Sequence, residues 1–504
     1  MSQADSSLVY GGMVALIVGL SLWGWQRSKD STTIFYPPSP PAHPLLGNLK
    51  DMPSDGSEWL HYEQLGKHIG SDIIYMTALG SHVLVINSFE AARDLLDKKG
   101  STYSSRPRMV MLKEMMGWDW NLVLMPYGKS FAAHRRVVQQ EFLPSIVMER
   151  CRPVMTEEVQ NLLVRLWRTP DDLVKHLKTM AGAIIMMVTY GHHVSSMDDE
   201  FVKLAEAVRA HSEHKPGTRI VGIFPFLKYI PTWFPGAGFK RLAIWKKQFS
   251  INMRTAPYEA VVSRIAAGTA VPCLVSRLMH DDLPYEGINK IEFVKNCGGV
   301  VYSAGADTTV AALANFFLAM TLYPDVQARA QQELDDVVTR YRLPTFEDRD
   351  RLPYIENIVK ETLRWKAVSP SDEYRGAYIP ENTTVVPNLH AMLHDETHYK
   401  NPDEFNPDRY IPTKANPEGE PNPNRAAFGF GRRICPGRFF ADDSLFLTIS
   451  SVLHVFSIRK PLKSASIDSI RWSPGLVSLP SAFPSAIEPR FSGAGELLAL
   501  TERT

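Results

Sequence analysis

Cysteine is scarce, with four in a chain of 504 residues. That excludes the dense disulfide framework on which small secreted domains depend. No second cysteine lies near Cys435, so a CxxC zinc knuckle or redox pair is excluded there as well. A surplus of one charge is also missing. The formal net charge is +1 and no long basic run occurs, so nothing in the charge argues for a nucleic-acid partner. No internal repeat and no long low-complexity tract interrupts the chain. A βαβ unit led by GxGxxG is lacking too, which removes the usual way of holding a nicotinamide or flavin dinucleotide.

What is present is apolar mass: 44% of the residues are hydrophobic, enough for one large domain or for two or three ordinary ones. The N-terminus stands apart. "LVYGGMVALIVGLSLWGW", residues 8–25, is uncharged and at the short end of what spans a bilayer. A cleaved signal peptide is the competing reading, but Asp5 precedes the run, no Lys or Arg does, and no A-x-A-like site follows. Arg27 and Lys29 come after it, which by the positive-inside rule leaves the bulk of the chain in the cytosol. "PPSPPAHPLLG" then forms a stiff connector that cannot be helix or central strand. The expected organisation is a membrane anchor over 1–29, a proline-rich hinge over 30–48 and one catalytic domain over 49–504.

"FGFGRRICPG", residues 428–437, is the most telling stretch. Gly429 and Gly431 let the backbone approach a large flat ligand. Pro436 suits the first turn of a helix, and a cysteine at a helix N-terminus faces N–H groups that favour thiolate. Arg433 lies two residues before Cys435, within reach of an anionic group on the same ligand. The plain alternative is a glycine-rich turn around a buried thiol. A thiolate, a close-approach loop and an arginine for a carboxylate together describe a site for haem with a cysteine axial ligand. The stretch resembles the haem-binding pattern FxxGxRxCxG of the cytochrome P-450 family, matched by Phe428, Gly431, Arg433, Cys435 and Gly437.

Other segments answer to the same resemblance. The apolar run from Cys297 to Pro324 carries one charge, Asp307, and a helix apolar all round suits the centre of a large fold as well as a bilayer. A retained acid there usually has a partner or a task. Ala304 and Gly305, one turn earlier, leave room for a small ligand. Asp307 capping and a back-bonded Thr308 are the structural alternative. Residues 304–308 meet the family's oxygen-binding signature [AG]Gx[DE]T, which implies that Thr308 and Asp307 manage protons. "ETLR" says little alone, but with "PDEFNPDRY" it resembles the family's ExxR and PxxFxPxR pair. The resemblance implies an ion network of Glu361, Arg364 and Arg409 bracing the haem loop.

Two departures from the family pattern stand out. The Trp-x-x-x-Arg whose members donate to a haem propionate keeps Arg135 but has Phe131 in the tryptophan's place, leaving His134 as a candidate substitute donor. The stretch 365–385, where the family lines its substrate pocket, is short. Residues 224–241 mix aromatics and prolines with Lys228, Lys240 and Arg241, a composition suited to the membrane interface, with Trp233 at the headgroup level.

The expected fold is mainly α with a small β-rich part, that of a cytochrome P-450 with a single N-terminal transmembrane anchor. The resemblance implies a haem b monooxygenase that acts on a hydrophobic small molecule. Its electrons come from NADPH through the membrane-bound NADPH–cytochrome P-450 reductase, which docks at Arg135, Arg136, Arg432 and Arg438. The implied location is the endoplasmic reticulum membrane, with the catalytic domain cytosolic. "GWDW" and "WFPGAGFKR" resemble fungal microsomal members of secondary metabolism or detoxification. A haem-thiolate isomerase or dehydratase, and a non-catalytic haem-binding protein, are the alternatives.

Overall fold

The computed structural model describes residues 36–52, 58–210, 221–222, 224–281, 287–366, 379–380, 383–461, 470, 479–481 and 483–501. The expected anchor, residues 30–35 of the hinge and most of the short 365–385 stretch lie outside the described residues.

Strands β1 (Ile73–Ala78) and β2 (Ser81–Ile86) pair antiparallel, with Ile73 opposite Ile86. Their β-branched residues suit a half-buried pleat. Leu79 and Gly80 between them both have positive φ, at 48° and 83°, the conformation that two-residue hairpin turns require. Strand β3 (Thr384–Pro387) joins β2 in parallel, with Val83 opposite Thr384. A second, two-stranded sheet pairs β4 (Phe456–Arg459) with β5 (Ala486–Pro489).

Helices build the rest: α1 (Lys129–Glu141), α2 (Arg152–Arg168), α3 (Leu173–Tyr190), α4 (Gly238–Ala266), α5 (Lys290–Leu322), α6 (Pro353–Trp365) and α7 (Arg438–Val455). Helix α5 starts before the apolar run does. Asn289 caps it by accepting the Glu292 N–H at 3.2 Å, and the first turns mix Lys290, Glu292, Lys295 and Asn296 with the buried core residues Phe293 and Val294. It ends just before Pro324.

Among the described residues only α5 is long and apolar enough to cross a membrane, yet 67% of its most apolar window is buried inside the protein. It is the central core helix, packed mainly on α3. The approach is closest at glycine. A Cβ built on Gly305 would meet the Ile185 side chain at 2.5 Å, and one on Gly298 would meet Val275 at 2.9 Å and the Tyr190 hydroxyl at 3.0 Å. Gly305 is therefore a helix-packing residue, and the space expected beside it for a small ligand is filled by α3. The reason is rotation: adjacent helix positions point about 100° apart, so Gly305 faces α3 while Ala304 faces outward.

Candidate active site

The loop 428–437 closes on itself and is pinned from outside. The Cys435 N–H donates to the Phe428 carbonyl at 2.8 Å, making one ring of the segment. Gly431, at φ +50°, comes so close to the chain at Leu96 that an added Cβ would meet the Leu96 carbonyl oxygen at 2.0 Å. Its N–H donates to Asp97. Only a residue without a side chain fits there. Gly429, at φ +75°, and Gly437 are the opposite case: an added Cβ at either meets nothing within 4 Å. Open space therefore flanks the cysteine on both sides in sequence.

Cys435 itself is half-buried, just ahead of α7. Burial pushes its thiol above the ordinary value, against the opposing pull of the Gly437 N–H, Arg135 and Arg438. Burial outweighs these groups, so the helix N-terminus alone does not secure the thiolate expected from the sequence.

Arg433 is drawn onto the chain. Its three nitrogens donate to the backbone carbonyls of Ser104 at 2.7 Å, Leu122 at 3.2 Å and Met125 at 2.7 Å. The guanidinium also lies 3.7 Å from the centre of the Phe131 ring. Phe131 is thus a buried cation–π platform for Arg433, a role that its missing N–H does not forbid. Arg135 sits half-buried near Cys435, close enough for their charges to interact, and donates to Gln139 at 3.3 Å. His134 does not replace the missing tryptophan. It is buried against α5, with Nδ1 at 2.8 Å from the Ser130 carbonyl and Nε2 at 3.3 Å from Asn296, and burial lowers its pKa. One residue along a helix turns the side chain to another face, so neighbouring Arg135 and His134 go to different neighbours.

The middle of α5 is accessible. Ala304 and Thr308 are exposed and Ser303, Asp307 partly so, between fully buried stretches on either side. The Thr308 hydroxyl donates to the Ala304 carbonyl at 2.9 Å, one turn back, leaving its oxygen able to accept from the open side. A single segment ties this face to the cysteine loop. Asn121 reaches Ser303 at 3.4 Å, and the next residue, Leu122, accepts from Arg433. Ser104, Asn121, Leu122 and Met125 carried no signal in the sequence, because three of them act through backbone carbonyls.

Glu361, Arg364 and Arg409 come together in full burial. Arg364 forks onto Glu361 with two bonds of 2.9 Å, and Arg409 Nε donates to the same carboxylate at 3.1 Å. The Tyr410 hydroxyl at 2.8 Å and the Asn406 N–H at 2.9 Å also donate to Glu361. The arginines donate onward to the carbonyls of Leu393, Lys400, Asn401 and Glu404, and Arg409 also to Glu420. One buried carboxylate thus organises the chain from Leu393 to Glu420.

Among residues 224–241, Trp233 is 78% and Tyr229 74% exposed. The cations are otherwise employed than expected. Lys228 pairs with Glu114 at 2.7 Å, Lys240 donates to the carbonyls of Lys228 and Ile230, and Arg241 to that of Thr232. They hold the loop's own shape, because proline-broken backbone leaves carbonyls without helical partners.

The chain matches the Cytochrome P-450 family over residues 37–483. It is 38% identical to the cytochrome P-450 monooxygenase 208 of Postia placenta, over 98% of each chain. It is 37% identical to a cytochrome P-450 monooxygenase of Armillaria gallica, covering 96% of this chain and 98% of the other. A zebra fish cytochrome P-450 solved with abiraterone superposes with a TM-score of 0.68, at 21% identity over 86% of this chain and all of that one. The chain belongs to the cytochrome P-450 family and is a monooxygenase of it. The family holds haem through a cysteine thiolate. The residues present fit that group: a lone thiol, open space at Gly429 and Gly437, cations at Arg135 and Arg438, and an accessible α5 face joined to the same loop.

Proposed function

We propose that this monooxygenase inserts one atom of O2 into a hydrophobic small molecule and reduces the other to water. The two electrons come from NADPH through the membrane-bound NADPH–cytochrome P-450 reductase, and the two protons from solvent. The observation that carries the proposal is the Cys435 loop, closed, pinned and flanked by open space, tied through residues 121–122 to the accessible middle of α5.

Haem b would be held by Cys435 and would supply the oxidising chemistry there. The chain's own residues then divide the work. The Gly437 N–H, Arg135 and Arg438 lower the cost of negative charge on the sulfur, against the opposing effect of burial. Thr308 offers a hydroxyl oxygen on the open face of α5, fixed by its bond to Ala304, and Asp307 beside it exchanges protons with solvent. Arg433 and Phe131 fix the 104–125 segment beside the loop.

Arg135, Arg136 and Arg432 line a cleft of about 510 Å³ together with Gly431 and Ile434, a cationic face that suits the acidic surface of a reductase. Residues 1–29 tether the chain to the endoplasmic reticulum membrane, the hinge over 30–48 leads to the catalytic domain over 49–504 on the cytosolic side, and the exposed aromatics at 224–241 touch the interface. The relatives are fungal, and a place in secondary metabolism or detoxification is part of this proposal. Cys435→Ser tests the ligand. We expect it to abolish the red-shifted Soret band of the reduced carbon monoxide complex; a retained band would assign the iron to another residue.

A further inference from the structure

The Glu361 network grips the chain before Cys435, from Leu393 to Glu420. The chain after Cys435 needs its own restraint. Helix α7 starts at Arg438 with no side-chain cap on Gly437, and it carries a cation at its positive end. Neither feature fixes its first turns. What does contact them is Arg349, which precedes α6 by four residues and is 18% exposed. Its Nε donates to Glu356 at 2.6 Å, in the first turn of α6. The other nitrogens donate to Asp442 at 2.5 Å and Asp443 at 2.7 Å, in the second turn of α7. Arg152, from α2, donates to Asp443 at 2.8 Å from the other side.

We infer that Arg349 is a positioning residue for the Cys435 loop, clamping the start of α7 to the start of α6. Helix α6 then holds both arms of the loop: Glu361 near its end takes the incoming chain, and Glu356 near its start takes the outgoing helix through Arg349. The fork geometry matters, because one planar guanidinium reaches three carboxylates in fixed directions. Without Arg349, Asp442 loses its partner and Asp443 keeps only Arg152, so the first turns of α7 lose their ion pairs to α6 and the chain at Cys435 loosens relative to the 104–125 segment, while the buried body of α7 stays packed.

The inference rests on Cys435 as the iron ligand. The test uses full-length, haem-loaded protein and follows, at a fixed temperature, the conversion of the thiolate-type carbon monoxide spectrum to the thiol type. Arg349→Gln and Asp442→Asn are each expected to speed conversion about tenfold while helical circular dichroism is unchanged, the size of an ordinary coupling within one network. The double variant should be no faster than Arg349→Gln alone, and Arg349→Lys should recover part of the loss. Amide exchange across 437–443 should rise in both single variants. If Arg349→Gln does not fold, Asp442→Asn decides alone, since it leaves Arg349 paired with Glu356 and Asp443. Conversion at the wild-type rate, or only in step with loss of helix, would overturn the clamp. Wild-type protein without the thiolate band would instead overturn the ligand assignment, and the clamp with it.

Discussion

At the residue scale the proposed proton path rests on one hydroxyl. Thr308 is exposed and bonded to Ala304, so removing its oxygen costs no ion pair and no packing contact with the core. Thr308→Ala should therefore leave haem content and the carbon monoxide spectrum unchanged. NADPH consumption should continue with hydrogen peroxide released in place of product, and oxygenated product should fall about 10²–10⁴-fold, the usual worth of a positioned acid–base group. Thr308→Ser should keep much of the yield. Unchanged product per NADPH in Thr308→Ala would leave Thr308 as a helix residue only. Residue types with scarce alternatives were legible here. Cys435 and the Thr308–Asp307 pair stand in patterns that few other chemistries need. Gly305 was misread because a glycine signals close approach without naming what approaches, and Ile185 lies 120 residues away in the chain. Arg433 was legible as a cation beside the cysteine but not as a brace, since backbone carbonyls leave no mark in a sequence.

At the scale of elements, α6 is an amphipathic helix that ends in a buried ion network. Burying Glu361 and two arginines is tolerable only while each charge is paired and hydrogen-bonded. Glu361→Gln keeps the shape and removes the charge, leaving buried Arg364 without a carboxylate while Arg409 keeps Glu420. The expected loss is about 3–5 kcal/mol, seen as a lower denaturant midpoint for loss of the thiolate-type spectrum. An unchanged midpoint would mean that the arginines find enough support from the backbone carbonyls around them. The triad's members were legible from their spacing and order. Tyr410, Asn406 and Glu420, which complete it, were not, because each becomes a partner only once residues 400–420 fold back onto α6. Helix α5 was legible as an apolar run, but its first turns were not, because Lys290, Glu292 and Lys295 interrupt the uncharged pattern and the start is marked by Asn289 alone.

For the whole molecule, the mainly helical fold with a small β-rich part was legible through the family resemblance, which rests on motifs spread across the chain. Less of the surface was legible. The cations of residues 228–241 read as lipid-facing by composition, yet the loop spends them on its own carbonyls and on Glu114, whose carboxyl Arg108 and Lys228 hold down to about 2. A proline-rich loop has carbonyls to satisfy before any partner does. The exposed aromatics Tyr229 and Trp233 are what remains for the proposed membrane contact. The most direct test treats the molecule entire: membranes containing the full chain and a reductase, given NADPH, labelled dioxygen and a panel of apolar compounds. We expect a product that carries one labelled oxygen atom, with labelled water formed beside it, and no product when NADPH is left out. A product formed equally well without NADPH, or one carrying no label, would contradict monooxygenation and favour an isomerase or dehydratase.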